Sequence, residues 1–325
     1  FWAPTRVIPN TVNEFPWFTF LYGDLHPHLM NFANTGVSLI GSVGILAVGE
    51  QMRHRRTSNW RLWVGSLVLP TFVLALHRVT NPWDFPTYAV VTIATLVYAL
   101  WRSSQYTART IGAITGCASV ALFVVSQLLF WPFHSTYVDF FSGIALTPET
   151  TLTASWLVMF GAPIAILITY SVLTLAHDSK LASANQVFKG PLFSIFTIAS
   201  LSIVAMMAVT FGWSVGTLAG GLILVGGMAA WRSRNNPTTL APLALLLAGI
   251  SLTMIPEFVV IRDDIGRLNT VFKTYLQAWM LLGLGAALAL PALVRHIRRI
   301  RVTHFAWLQT AWAAVIGMVA ITAFA

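Results

Sequence analysis

Three short stretches carry most of the side chains in this sequence that could move a proton, hold a metal or bind an anion. The first runs from Arg6 through Glu14 to Asp24, His26 and His28. A carboxylate and two imidazoles at alternate positions point to one side of an extended backbone. That donor set suits a divalent metal (Mg, Mn or Zn) better than calcium, and Pro16 and Pro27 disfavour a helix through it. The plain alternative is that these polar groups cap the outer end of the next helix. The second stretch is His77-Arg78 followed by Asn81-Pro82-Trp83-Asp84-Phe85-Pro86-Thr87-Tyr88. Asp84 supplies a carboxylate and Arg78 a cation, or the two pair with each other. Trp83 reads as an interfacial belt residue or as a platform for a sugar or isoprenoid. The third stretch holds Glu257, then Arg262, Arg267, Asn269 and Lys273. Arginine offers phosphate a two-pronged donor and lysine a point charge. The alternative is a loop neutralised by Asp263 and Asp264.

Composition alone selects no single reaction for these groups; transfer of a group from a phosphate is what the resemblance named below implies for them. A carboxylate must accept the proton of an attacking hydroxyl, which makes Asp24, Glu14, Asp84 and Glu257 the candidates for base. Cations must hold the leaving phosphate, which draws on Arg6, Arg78, Arg262, Arg267 and Lys273, with Asn269 and Trp83 as further substrate contacts. The metal set is Asp24, His26 and His28. No paired cysteines and no HExxH pattern add to it. His134, Tyr137, Asp139 and Glu149 fall in a loop at 132–153 long enough to act as a lid. His54, His177, His296 and His304 lie in or near basic loops as interfacial groups.

The elements that must position these residues are membrane helices. Only 9% of the 325 residues are charged and 57% are hydrophobic. Soluble domains run to about a quarter charged, so lipid must be the solvent for much of this chain. The expected fold is all-α and polytopic, one helical domain over 1–325. An outer motif loop covers 1–31, and about ten spans follow at 32–51, 62–77, 87–101, 110–131, 154–176, 192–210, 212–231, 239–256, 274–294 and 305–324. The second and third spans are short and flank the proline-rich turn, which reads as a dip into a cavity. Trp60, Trp63, Trp83, Trp101, Trp131 and Trp231 sit near run ends, as belt residues do. No strand-period signal or repeat interrupts the pattern. Glycine pairs at 220–221 and 226–227 permit close helix packing. The single cysteine, Cys117, allows no disulfide within the chain.

Alternate loops then sort by charge. One set holds fourteen of the nineteen basic residues, in runs such as Arg53-Arg56 and Arg295-Arg301; the other holds eight of the ten acidic residues. The positive-inside rule makes the basic set cytoplasmic and puts all three motif stretches on the non-cytoplasmic face of the cell membrane. The net charge of +9 is thus a matter of topology and does not point to nucleic acid. The chain opens on Phe1-Trp2-Ala3-Pro4, without a methionine or a signal-like segment, and reads as the C-terminal part of a longer protein.

The stretches TRVIPNTVNEFPWFTFLYGDLHPHLM (5–30), NPWDFPTY (81–88) and PEFVVIRDDIGRLNTVFKTYLQAW (256–279) resemble the YYY family of archaeal and Chloroflexi membrane proteins, DUF2298. That family's tyrosine-rich motif would lie upstream of Phe1, in keeping with a C-terminal fragment. The family looks like a branch of the GT-C membrane glycosyltransferases. The resemblance implies a GT-C-like fold and a polyprenyl-phosphate sugar as partner beside membrane lipid. It also implies transfer on the non-cytoplasmic face. In such enzymes an acid of the first external loop acts as base or orients the acceptor, and later acidic or His residues hold metal or donor phosphate. Asp24, His26 and His28 match the later role; the first-loop acid would lie upstream. The rival readings are a multi-pass transporter, which needs polar groups at mid-depth, and a non-catalytic protein of envelope assembly.

Overall fold

The computed structural model describes residues 3–23, 25–56, 58–138, 142–177, 214–263 and 265–299. Eight helices among the described residues are long and apolar enough to cross a membrane, so the chain is an all-α, multi-pass membrane protein. The expected spans at 192–210 and 305–324 lie outside the described residues. The chain divides into two compact units, one of residues 17–140 and the other of residues 1–16 with 141 onward.

In the first unit, a short α1 (Pro16–Tyr22) leads to α2 (Pro27–Arg55), α3 (Trp60–Thr80), α4 (Asp84–Ser103) and α5 (Ala108–Leu129). Prolines open both α1 and α2, and the chain is non-helical at Leu25 and His26 between them, so no continuous helix runs through the motif. The first helical positions have no intrahelical acceptor to lose, and proline's fixed φ suits them. The stretch expected as an outer loop therefore already contains helix. The Asn59 side chain caps α3 by accepting from the Arg61 N–H, and Thr107 caps α5 through Thr110. α2 and α4 pack at van der Waals distance because Gly49 faces Ala99: a Cβ on Gly49 would come within 2.9 Å of the Ala99 Cβ and carbonyl oxygen. Around that contact lies a core of Ile45, Met52, Trp63, Leu96, Ala99 and Leu100. At the same end Glu50 meets Arg102 at 3.0 Å and Arg53 at 3.4 Å. Trp63 belongs to this core instead of an interfacial belt, its indole N–H satisfied by the Tyr106 hydroxyl at 3.0 Å. Trp60, Trp101, Trp131 and Trp231 are exposed at helix ends.

α3 and α4 are not broken half-helices. They run 21 and 20 residues, close to the ~20 needed to span a bilayer. The expected dip reduces to a tight turn in which Asn81 N–H bonds the His77 carbonyl and Asp84 N–H bonds the Asn81 carbonyl. Pro82 lies between the helices and Pro86 in the first turn of α4, where prolines cost no hydrogen bond.

The second unit holds α7 (Thr153–His177), α8 (Val215–Arg232), α9 (Pro237–Phe258) and α10 (Arg267–Arg299), with a short α6 (Trp131–His134) before them in the chain, in the first unit. α9 and α10 pack most closely, and a Cβ on Gly249 would fall 2.5 Å from Leu282. Gly226 approaches Leu247 and Leu167 in the same way, whereas Gly227 faces open space. A two-stranded antiparallel ribbon joins β1 (Gly143–Leu146) to β2 (Val259–Arg262), in the register Gly143 opposite Arg262. Thr151, just before α7, touches Glu257 near the end of α9, and a Cβ on Gly216 at the start of α8 would meet Phe258. α7 and α8 therefore begin at one end of this unit, as the alternation of spans expects. The N-terminal stretch closes on itself: Asn13 N–H bonds the Thr5 carbonyl, and the Asn13 side chain accepts from Ile8 N–H at 3.1 Å. Phe15 then rests on Trp279 of α10 at 5.1 Å.

Candidate functional site

Each unit has a buried polar cluster at one end of its helices. In the first unit the cluster is built on α2. Its residues Asn31, Thr35, Ser38 and Ser42, all buried, recur at helical spacing and form one polar face on an otherwise apolar helix. Against that face stand His77 from the last turn of α3, and Asp84 and Tyr88 from the first turns of α4. The Asn31 amide nitrogen reaches the His77 Nδ1 at 2.7 Å and donates to the Asp84 carboxylate. The Ser38 hydroxyl meets the His77 Nε2 at 2.9 Å. Asn31 has two N–H donors and can serve both partners, while its carbonyl oxygen accepts from Asn34 at 2.7 Å. This pattern leaves His77 Nδ1 as acceptor and puts the ring proton on Nε2, facing Ser38. The Tyr88 ring stacks on His77 at 4.7 Å and 9°, so the imidazole is fixed in its plane as well as at its edges. Asp84, 5% exposed, is a carboxylate at a helix N-terminus, where the helix dipole favours negative charge.

Beside this cluster, Arg78 lies over the rings of Phe85 and Phe123, 5.2 and 5.8 Å from their centroids. Its Nε is buried without a hydrogen-bond partner among the described residues. The ion pair considered from sequence, Arg78 with Asp84, gives way to this cation–π seat and to the Asn31–Asp84 bond. His134, at the end of α6, feels the same arginine. Burial first, and then the Arg78 charge, lowers its pKa below the ordinary imidazole value.

In the second unit, Glu257 and Arg267 form a buried pair at 3.0 Å. Thr151 locks it: its backbone N–H donates to Glu257 Oε2 at 2.9 Å, its hydroxyl donates to Oε1, and Arg267 donates to that hydroxyl at 2.6 Å. The Tyr275 hydroxyl stands 3.5 Å from the Thr151 oxygen. Arg267 is thus neutralised by Glu257 and not by Asp263, which instead accepts from Ser142. The positive φ of Asp263 turns the chain between β2 and α10.

The remaining sequence-derived candidates scatter around these two clusters. Arg262 is exposed on β2. Asn269 and Lys273 follow Arg267 on α10, half-buried, with the Lys273 amine 5.2 Å from the Phe272 ring. Arg6 is exposed and folds back on the Thr5 carbonyl and hydroxyl at 2.9 and 2.8 Å. Glu14 is half-buried before α1, and Trp83 half-buried in the turn before α4. Asp24, Asp139 and Asp264 lie outside the described residues. His26 is the extended residue preceding α2 and His28 sits in its first turn, so the two do not alternate along a strand; their rings are 5.4 Å apart. Among the described residues, no three His, Cys, Asp or Glu side chains converge as a metal site.

Sequence reading identified His77, Arg78 and Asp84 together but missed Asn31, Ser38 and Thr151. For the α2 pair a signal existed: Asn31, Thr35, Ser38 and Ser42 at spacings of four, three and four in an apolar run. Thr151 gives no local signal, because its partner is 106 residues away.

A family model described as "Uncharacterized membrane protein (DUF2298)" matches residues 1–282. No curated protein and no solved structure matches the chain.

Proposed function

This chain belongs to the DUF2298 family of membrane proteins, and from that membership we propose that it is a membrane glycosyltransferase. Its donor is a polyprenyl-phosphate-linked sugar, and the Asp84 end of the helices faces the non-cytoplasmic side of the cell membrane. The observation that carries the reading is the buried Asp84–Asn31–His77–Ser38 network, with Arg78 one residue from His77. Asp84 takes the proton of the acceptor hydroxyl. The freed oxygen attacks the anomeric carbon, the bond from that carbon to the phosphate oxygen breaks, and the phosphate leaves with the electron pair. Arg78, next to His77 in the chain, is the proposed cation for the departing charge. Asn31 and His77 are positioning residues: both His77 nitrogens are engaged, so the ring orients the carboxylate through Asn31 and takes no proton itself. Glu14, Glu257, Arg6, Arg262, Arg267, Asn269, Lys273 and Trp83 remain secondary candidates for base or substrate contact. Because Glu257 and Arg267 neutralise each other, they support the fold of their own unit first. A divalent ion held by Asp24, His26 and His28 would add positive charge near the leaving phosphate.

The test is incubation of the complete protein with labelled polyprenyl-phosphate sugars and a panel of acceptors, with donor binding measured in parallel. Transfer, or tight donor binding that Arg78→Ala weakens, supports the proposal; absence of both refutes it. One observation favours a second reading, a proton-linked transporter. The polar face from Asn31 to Ser42 covers twelve residues of α2, about 16 Å of helix. Reconstituted protein that acidifies its vesicles on addition of solute would favour that reading over transfer.

A further inference from the structure

Along the first unit, from its arginine-bearing end toward the Asp84 end, runs a feature that sugar transfer does not use. Between α3 and α5 lies an apolar cavity of about 910 Å³, at the upper end of the ~300–1,000 Å³ typical of small-molecule sites. One wall is the α3 face of Trp63, Leu67 and Phe72; the other is the α5 face of Ile114, Ala121 and Leu129. From Trp60 to Phe72 the α3 wall runs about 18 Å along the helix, roughly the depth of one leaflet. At the end nearest the arginines the lining becomes more polar. There Ser58 bonds the Tyr106 hydroxyl at 2.6 Å, and that hydroxyl accepts from Trp63. Next to these residues, Arg61 and Arg109 are exposed, and Arg61 stands over the Trp60 ring at 5.7 Å. Among the described residues of α5, Leu122 and Ser126 are buried, while Ala121, Val125 and Leu129 of its cavity wall are exposed.

We propose that this groove holds one acyl chain of an anionic glycerophospholipid from the leaflet on the arginine-rich side, with the lipid phosphate at Arg61 and Arg109. An apolar wall as deep as a leaflet takes the chain, the hydroxyl rim lies at the level of the glycerol esters, and the two guanidiniums complement the phosphate. A donor lipid reacting at Asp84 would present its phosphate at the other end of these helices, so this site is separate from the transfer site and does not rest on it.

Native mass spectrometry of the complete protein, released from detergent with equimolar phosphatidylglycerol and phosphatidylcholine, tests the site. The expected result is one phosphatidylglycerol retained at collision energies that strip phosphatidylcholine. Ala121→Phe fills the groove from an exposed position and should abolish that retention while gel filtration and thermal stability stay unchanged. Arg61→Gln with Arg109→Gln should lower the preference for phosphatidylglycerol about thirtyfold. Equal retention of both lipids, meaning annular lipid only, overturns the proposal, as does full retention in folded Ala121→Phe. Should Ala121→Phe misfold, a phosphatidylglycerol with a diazirine on its acyl chain decides on the wild-type protein. Labelling of α3 and α5 between residues 60 and 129 supports the site, and labelling elsewhere contradicts it.

Discussion

Replacing Arg267 by Met should destabilise the second unit more than any other single charge removal at that end. The substitution keeps much of the apolar stem but leaves Glu257, 6% exposed, as a buried carboxylate without its cation. Breaking a buried pair by deleting one partner typically costs about 3–5 kcal/mol. Here the lower end is expected, about 3 kcal/mol, because the Thr151 N–H and hydroxyl still donate to the carboxylate. The double variant Glu257→Gln with Arg267→Met removes both charges. It should recover most of the loss, to within about 1 kcal/mol of wild type, since a neutral pair carries a much smaller desolvation cost. Folded fraction in mixed detergent–dodecyl sulfate micelles, followed by circular dichroism for wild type, both single variants and the double, gives the full cycle. If Arg267→Met costs less than about 1 kcal/mol, or if the two single losses simply add in the double variant, the pair is not the structural lock argued here.

Further outcomes follow from the same geometry. Asn31→Leu strands the His77 Nδ1 in a buried site and removes one donor from the Asp84 carboxylate, and it should cost about 1–3 kcal/mol, read in the same micelle titration. Gly49→Leu drives a side chain into Ala99 and should destabilise the first unit by about 1–3 kcal/mol, with Ala99→Gly in the same chain restoring part of it. His134 should titrate below the ordinary imidazole range in histidine-labelled NMR spectra, and Arg78→Ala should raise its pKa by removing a like charge. A lowered folded-state pKa means the unfolded chain binds that proton first as pH falls, so acidification through the imidazole range should cost stability, less so in Arg78→Ala.

Much of this was readable in the sequence because bilayer length and charge alternation are strong constraints. Eight of the expected spans stand near their predicted places; α2, α3, α4, α9 and α10 run longer than expected, whereas α8 is shorter. The excess arises at helix starts such as Pro27 and Asp84, where proline and acid are favoured first-turn residues although they read as breaks in hydropathy. The ribbon of β1 and β2 was not legible: four residues per strand are too few for a period, and the strands lie more than a hundred residues apart in the chain. At the candidate site, motif composition brought out His77, Arg78 and Asp84. It did not bring out Asn31, the residue that joins two of them, because a neutral amide in an apolar helix attracts no attention until the helix face is drawn. Charge counting likewise paired Arg267 with its sequence neighbours, whereas burial selects Glu257 ten residues back.

The central claim is that Asp84, held by Asn31 beside His77, takes the proton from the acceptor in sugar transfer. The most direct measurement is the rate of sugar transfer from a labelled polyprenyl-phosphate donor by the complete protein, comparing wild type with Asp84→Asn. Asparagine keeps the size and hydrogen-bonding capacity of the site but cannot accept the proton. Folded Asp84→Asn should keep donor binding with transfer reduced by about a hundredfold or more; transfer at the wild-type rate would rule out Asp84 as the base.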